Sequence, residues 1–79
     1  MEWRDHITSD ADVLAGKPVV RGTRLSVEFL LGLLAAGWTS EQVLASYAGL
    51  TPEALRAVYA FAAEVLQDEA VFVLRPGAA

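Results

Sequence analysis

The residues able to do chemistry in this chain are few and unevenly placed. There is one imidazole, His6, and no cysteine, so a nucleophilic triad lacks its base outside the N-terminal segment and a zinc site lacks its ligands. Asp10 and Asp12 form an Asp-x-Asp pair with oxygen donors for a divalent cation, yet the same spacing is that of a solvated turn between short strands. Glu64, Asp68 and Glu69 read as the outer face and frayed end of a helix. No enzyme, metal or cofactor is expected from this set. The cations are distributed differently. Lys17, Arg21 and Arg24 occupy residues 17–24, which hold no acid. On an extended segment the two-residue period turns Lys17, Val19 and Arg21 to one side, as an arm that reaches phosphates or an acidic pocket. Arg24 has two readings, one as a contact for a partner and one as a bridge from arm to helix through a carboxylate. In the structural reading Gly22 takes a positive φ and Thr23 bonds back to the backbone.

The elements that must position these residues are short. Residues 1–24 read as a small β-hairpin or arm. Ala15-Gly16-Lys17-Pro18 marks a turn or strand entry, and Pro18-Val19-Val20 is a brief β-branched run broken by Gly22. Ser26 caps a helix of good helix formers from Val27 to Ala36, with Gly37 at its C′ position. Thr39-Ser40-Glu41-Gln42 is a capping box opening a second helix to about Ala48, closed by Gly49. Thr51-Pro52-Glu53 starts a third, with Thr51 as N-cap and Pro52 at the first helical position. It extends to about Asp68, or about 25 Å. The second and third helices and their short Gly-containing turn have the order of a helix-turn-helix, a pattern that a plain three-helix bundle shares. The expected architecture is mainly α: a hairpin or arm over 1–24, a three-helix bundle over 25–69 and an extended tail over 70–79, all in one domain.

The arithmetic of the whole chain points to a partner. Of 79 residues 54% are apolar and the mean hydropathy is +0.38, while a chain of this length buries only about 60–65% of the surface it exposes when unfolded. Six Lys/Arg against ten Asp/Glu leave a net charge of −4, which disfavours general coating of nucleic acid. All of the net negative charge falls in residues 25–79, where only Arg56 and Arg75 oppose six acids. The first residues carry charges of both signs and no apolar run, and Leu25 to Trp38 is too short to span a bilayer. A cytoplasmic protein with no membrane contact is the expectation.

In the third helix Leu55, Val58, Tyr59, Ala62 and Leu66 fall on one stripe at 100° per residue, widened by Ala54, Phe61 and Val65 on one side and Ala63 on the other. Either this is a well-packed core helix or it also packs on a second chain, with Phe61 and Val65 at a homodimer interface. Its first turns offer Glu53, Ala54, Arg56 and Ala57, a poor set for reading base edges in the major groove. DNA binding, if present, is expected to be weak or to rest on the arm. In the tail, Val71, Phe72 and Val73 favour extended chain and Pro76 ends it. The segment either pairs as a strand and packs on the domain or binds a partner through Phe72 and Arg75.

The stretch Gly16-Lys17-Pro18-Val19-Val20-Arg21-Gly22-Thr23-Arg24-Leu25-Ser26-Val27 resembles the opening segment of the domain of unknown function 433 family. Gly37-Trp38-Thr39 and Ser46-Tyr47-Ala48-Gly49-Leu50-Thr51-Pro52-Glu53 fit the rest of its pattern, over about residues 5–68. Ala48 stands where that family commonly has proline, and Ala54 where it usually has an acid. The resemblance implies a homeodomain-like or winged helix-turn-helix fold. It also implies an antitoxin-like role, binding and restraining a PIN-like nuclease toxin and repressing its own operon. Lys17, Arg21, Arg24 and Arg56 would then contact the nuclease or DNA, and Arg75 would enter the nuclease's carboxylate cluster. The alternative class is a small helix-turn-helix transcriptional regulator.

Overall fold

The computed structural model describes residues 1–68. In chain order these form a 3-10 turn at Trp3–Asp5, strand β1 (Ile7–Thr8), a second 3-10 turn at Leu14–Gly16, strand β2 (Val19–Val20), and helices α1 (Val27–Ala35), α2 (Ser40–Ser46) and α3 (Pro52–Asp68). The architecture is mainly α with an N-terminal antiparallel hairpin, as the residue pattern implies. The C-terminal strand expected of the tail, with Phe72 and Arg75, falls on residues outside those described.

β2 is central although it is only two residues long. On one edge it pairs antiparallel with β1, Ile7 opposite Val20 and Thr8 opposite Val19. On the other edge the chain returns to bond it again. Val20 N–H donates to the Leu25 carbonyl at 2.9 Å and Val27 N–H to the Pro18 carbonyl at 2.9 Å. The reversal between these edges is the Arg21–Arg24 turn. Gly22 takes φ +80°, a left-handed conformation open to glycine at little cost. Thr23 closes the turn twice: its hydroxyl donates to the Val20 carbonyl at 2.8 Å and accepts from Leu25 N–H at 3.0 Å. The Thr23 methyl also lies against Gly49, where an added Cβ would stand 3.5 Å from it. One side chain therefore ties the hairpin to the α2–α3 turn.

Each helix begins on a side-chain acceptor. Ser26 Oγ accepts from Phe29 N–H at 2.9 Å, the Thr39/Gln42 capping box is complete, and Thr51 Oγ1 accepts from Ala54 N–H at 3.0 Å. α1 ends in a Schellman arrangement. Gly37 has φ +102°, its N–H bonds Leu34 O, and Trp38 N–H bonds Leu33 O. α2 stops at Ser46, two residues short of the expected end. Tyr47 is extended there (φ −127°, ψ 95°), and its ring meets Phe29 edge-to-face at 5.9 Å.

The core joins Ile7, Val20, Val27, Leu30, Val43 and Leu50 to the inner face of α3. That face differs from the predicted stripe. Ala57 is fully buried beside Ala54, Leu55 and Val58, whereas Tyr59 and Leu66 are exposed. A methyl-sized side chain lets α3 approach its neighbours closely, and Tyr59 turns outward, its hydroxyl 3.2 Å from that of Ser40. Phe61 is partly buried. It meets Trp3 edge-to-face at 4.8 Å, and Arg4 covers the other part of the indole at 4.4 Å from the ring centroid while pairing with Glu64 at 3.1 Å. The first residues are thus anchored on α3 rather than forming a free arm.

Thr23→Val keeps the shape and removes the hydroxyl, leaving Leu25 N–H without its acceptor. We expect a loss of about 1–3 kcal/mol, with Thr23→Ser less harmful, read as urea midpoints followed by circular dichroism. Leu30→Ala in the fully buried centre of α1 should cost about 2–5 kcal/mol, enough to unfold much of a chain this small.

Candidate functional site

A cleft of about 610 Å³ opens where the second 3-10 turn faces the start of α1; Leu14, Lys17, Arg24, Leu25, Phe29 and Tyr47 line it. Its outer wall is built by an unusual backbone. Leu14, Ala15 and Gly16 take φ of +49°, +57° and +84° in succession. Two of the three carry a Cβ in a conformation that L-residues avoid at about 1–2 kcal/mol each. Surrounding hydrogen bonds hold the turn: Gly16 N–H to Val13 O at 3.1 Å, Lys17 N–H to Leu14 O at 3.2 Å, and the Ser9 hydroxyl onto the Gly16 carbonyl. The result is a leucine, 43% exposed, held at the mouth of the cleft opposite Phe29, 44% exposed, whose ring rests on Tyr47. Strain retained beside an exposed apolar pair points to a function for the turn.

The predicted cations divide among different surroundings. Lys17 pairs with Glu28 on α1, Nζ to Oε1 2.9 Å, which is the arm-to-helix bridge expected of Arg24. The Lys17 hydrogen bond, and secondarily its charge, hold the Glu28 carboxyl below the ordinary carboxylate value. Arg24 makes no ion pair among the described residues and stands exposed at the rim. Arg21 donates from Nη2 to the Arg4 carbonyl at 3.2 Å. The expected row of Lys17, Val19 and Arg21 on one side of an arm does not form, because Val19 is buried and both cations are engaged within the fold. Arg21 and Arg24 do share a second, more polar groove with Thr8, Ser9 and Asp10. Arg24 is common to both concavities. Arg56 is exposed on α3 and lines neither.

Asp10 Oδ1 accepts from Asp12 N–H at 2.9 Å, so the Asp-x-Asp pair closes a turn. Among the described residues no three His, Asp or Glu side chains gather to hold a metal, and no helix is long and apolar enough to cross a membrane. Phe61 and Val65 lie apart from the cleft, on a separate groove. Sequence reasoning missed Leu14 and Phe29. Phe29 sits in a helical run that reads as core, and nothing marks Leu14-Ala15 as left-handed; the following Gly16 is the one local signal.

These features define a small hairpin-and-three-helix domain with a strained, apolar-mouthed cleft. Its residues 7–62 match the model of a protein family of unknown function, DUF433, and the chain belongs to that family. The match runs from β1 to the middle of α3 and contains the whole cleft. An uncharacterised protein, y4eO, of Sinorhizobium fredii is 42% identical over 53 residues, covering 67% of this chain and 24% of the relative. The chain thus spans about a quarter of the length of the curated relative it matches. No solved structure matches it.

Ala15→Gly should raise stability by about 1 kcal/mol by relieving the left-handed turn, whereas Gly22→Ala should lower it by about as much. No atom lies within 4 Å of a Cβ built on Gly22, so that loss would come from the backbone alone. Both are read from denaturant midpoints. The Lys17–Glu28 pair is exposed and responds to pH in one direction. Its contribution is present above the unfolded carboxylate value and lost as pH falls through the depressed folded value. The Glu28 midpoint, followed by NMR of its carboxyl carbon, should rise toward the ordinary value in Lys17→Met and in high salt.

Proposed function

We propose that this domain is a non-catalytic, antitoxin-like interaction protein of the cytoplasm that binds and restrains a PIN-like nuclease through the Leu14–Phe29 cleft. The observation that carries this reading is an exposed apolar pair beside a cation with no ion-pair partner among the described residues. Leu14 and Phe29 stand at the mouth, with Arg24 at the rim. A partner presenting a carboxylate next to an apolar ridge satisfies both at once. The apolar pair supplies a desolvated anchor, and a guanidinium can hold a carboxylate in a bidentate geometry that an ammonium cannot copy. The nuclease class comes from the family resemblance. Such an enzyme gathers carboxylates in its active site, the chemistry that Arg24 complements.

The test is co-expression of the chain with the nuclease of a neighbouring reading frame, followed by affinity capture and an RNA-cleavage assay. We expect a complex that suppresses cleavage. Arg24→Glu and Phe29→Asp should each weaken it at least tenfold, with helical circular dichroism unchanged. A wild-type chain that forms no complex overturns the nuclease reading, and full-strength binding by both variants overturns the cleft as its seat. Tight, steeply salt-dependent binding to the upstream DNA, lost on Arg56→Ala, would favour the regulator class instead.

A further inference from the structure

A second apolar concavity, about 400 Å³, lies between α1 and the distal half of α3. Pro18, Val27, Leu31, Ala62, Val65 and Leu66 form its walls, and Val65 and Leu66 remain 39% and 57% exposed. Glu28 is the one charged residue among those described that line it. Nothing in the cleft chemistry above uses this groove.

We propose that the groove is the docking seat of the chain's own residues 71–74, in the same molecule. The inference is independent of the nuclease reading. Three observations carry it. The first is position: Asp68, the last described residue, lies two positions beyond Leu66, so the chain that follows starts at the end of the groove. The second is composition: Ala70-Val71-Phe72-Val73-Leu74 is apolar throughout, a run that in water is an aggregation hazard. The third is charge: Arg75, the only cation in residues 69–79, follows directly. The groove's lining charge is Glu28, whose Oε1 already holds Lys17 at 2.9 Å, so that Oε2 is the acceptor Arg75 would use.

The reach is sufficient. From Asp68 back to the level of Ala62 is about 9 Å along the helix axis. With Glu69 and Ala70 allowed for a reversal, four residues at full extension can span about 13 Å, enough to run from Leu66 past Ala62. A covalently attached segment is present at an effective concentration of order millimolar, well above a second copy at ordinary protein concentration. Tethering therefore favours the chain's own segment over the homodimer contact expected from the α3 stripe.

Methyl- and aromatic-resolved NMR of the full chain tests the proposal directly. Expected are nuclear Overhauser contacts from the Phe72 ring to the Leu31, Val65 and Leu66 methyls. They should persist on dilution and be absent between labelled and unlabelled copies in a mixed sample. Phe72→Asp in the full chain should release the segment, raising fluorescence of an apolar dye severalfold while the groove methyl shifts move and α-helical dichroism stays. No contacts from Phe72 to the groove, or contacts seen only between copies in the mixed sample, would overturn the proposal. The second of these results would seat another molecule there. No nuclease is present in this experiment, so its failure and that of the nuclease reading are separate results.

Discussion

The Gly22–Thr23 turn is the constraint on which the rest of the molecule depends. A two-residue strand cannot hold a sheet together by itself, and an isolated hairpin of this length is not stable in water. β2 survives because it is bonded on both edges, and the second edge exists only because the chain reverses between Val20 and Leu25. That reversal needs a left-handed residue, supplied by Gly22, and a substitute for the missing backbone bonds, supplied by the Thr23 hydroxyl. From there the consequences are local. The returning strand delivers Ser26 to the start of α1 as its cap, and Val27 and Leu30 follow into the core. The Thr23 methyl against Gly49 sets the α2–α3 turn beside the same point.

A domain this small has too few residues to cover both sides of every element. The fold resolves this unevenly. The inner face of α3 is covered by α1, β1 and the Trp3–Asp5 turn, and Trp3 on Phe61 extends the core toward the middle of the helix. That contact has its own cost, since the Trp3 indole N–H is buried with no acceptor among the described residues. Among the described residues two of the exposed apolar surfaces lie at Leu14 and Phe29 and at Val65 and Leu66. They differ in kind. The first is held by a strained turn, with Lys17 and Arg24 among its lining residues; the second is a plain helix–helix groove with a single acid on its rim.

What the amino-acid order reveals here is the chemistry that acts over a few residues. The caps at Ser26, Thr39 and Thr51, the stop at Gly37 and the positive φ at Gly22 are all legible, because an acceptor three positions from its donor or a glycine after a helix leaves little choice. Contacts over longer spans are not. That Lys17 rather than Arg24 bridges to α1 depends on where the second 3-10 turn puts the chain, and that turn is written by Leu14 and Ala15, residues with no preference for it. The rotation of α3 is hidden for a related reason. By apolar area Tyr59 outranks Ala57, but packing rewards the side chain that lets two backbones approach, and the small residue goes inside. The burial of Trp3 joins residues far apart in the chain, which no local pattern encodes.

The family match contains the cleft whole and the second groove in part. Residues 7–62 include the Gly22–Thr23 turn, the strained Leu14–Gly16 turn, Arg24, Phe29 and Tyr47, so the cleft and the device that positions it belong to the shared segment. Val65, Leu66 and all that follows lie beyond it. A strained turn is a standing cost of about 1–2 kcal/mol per left-handed residue in a fold with little stability to spare. One substitution by glycine, at Ala15 or at Leu14, would remove about half of that cost. Glycine at Leu14 would also remove the exposed side chain from the mouth of the cleft, and glycine at Ala15 would loosen the hold on it. Stability and a rigidly presented Leu14 therefore pull in opposite directions at this turn. The groove between α1 and α3 carries no such opposition: its described lining residues include no left-handed one, and covering Val65 and Leu66 would add stability without straining the backbone.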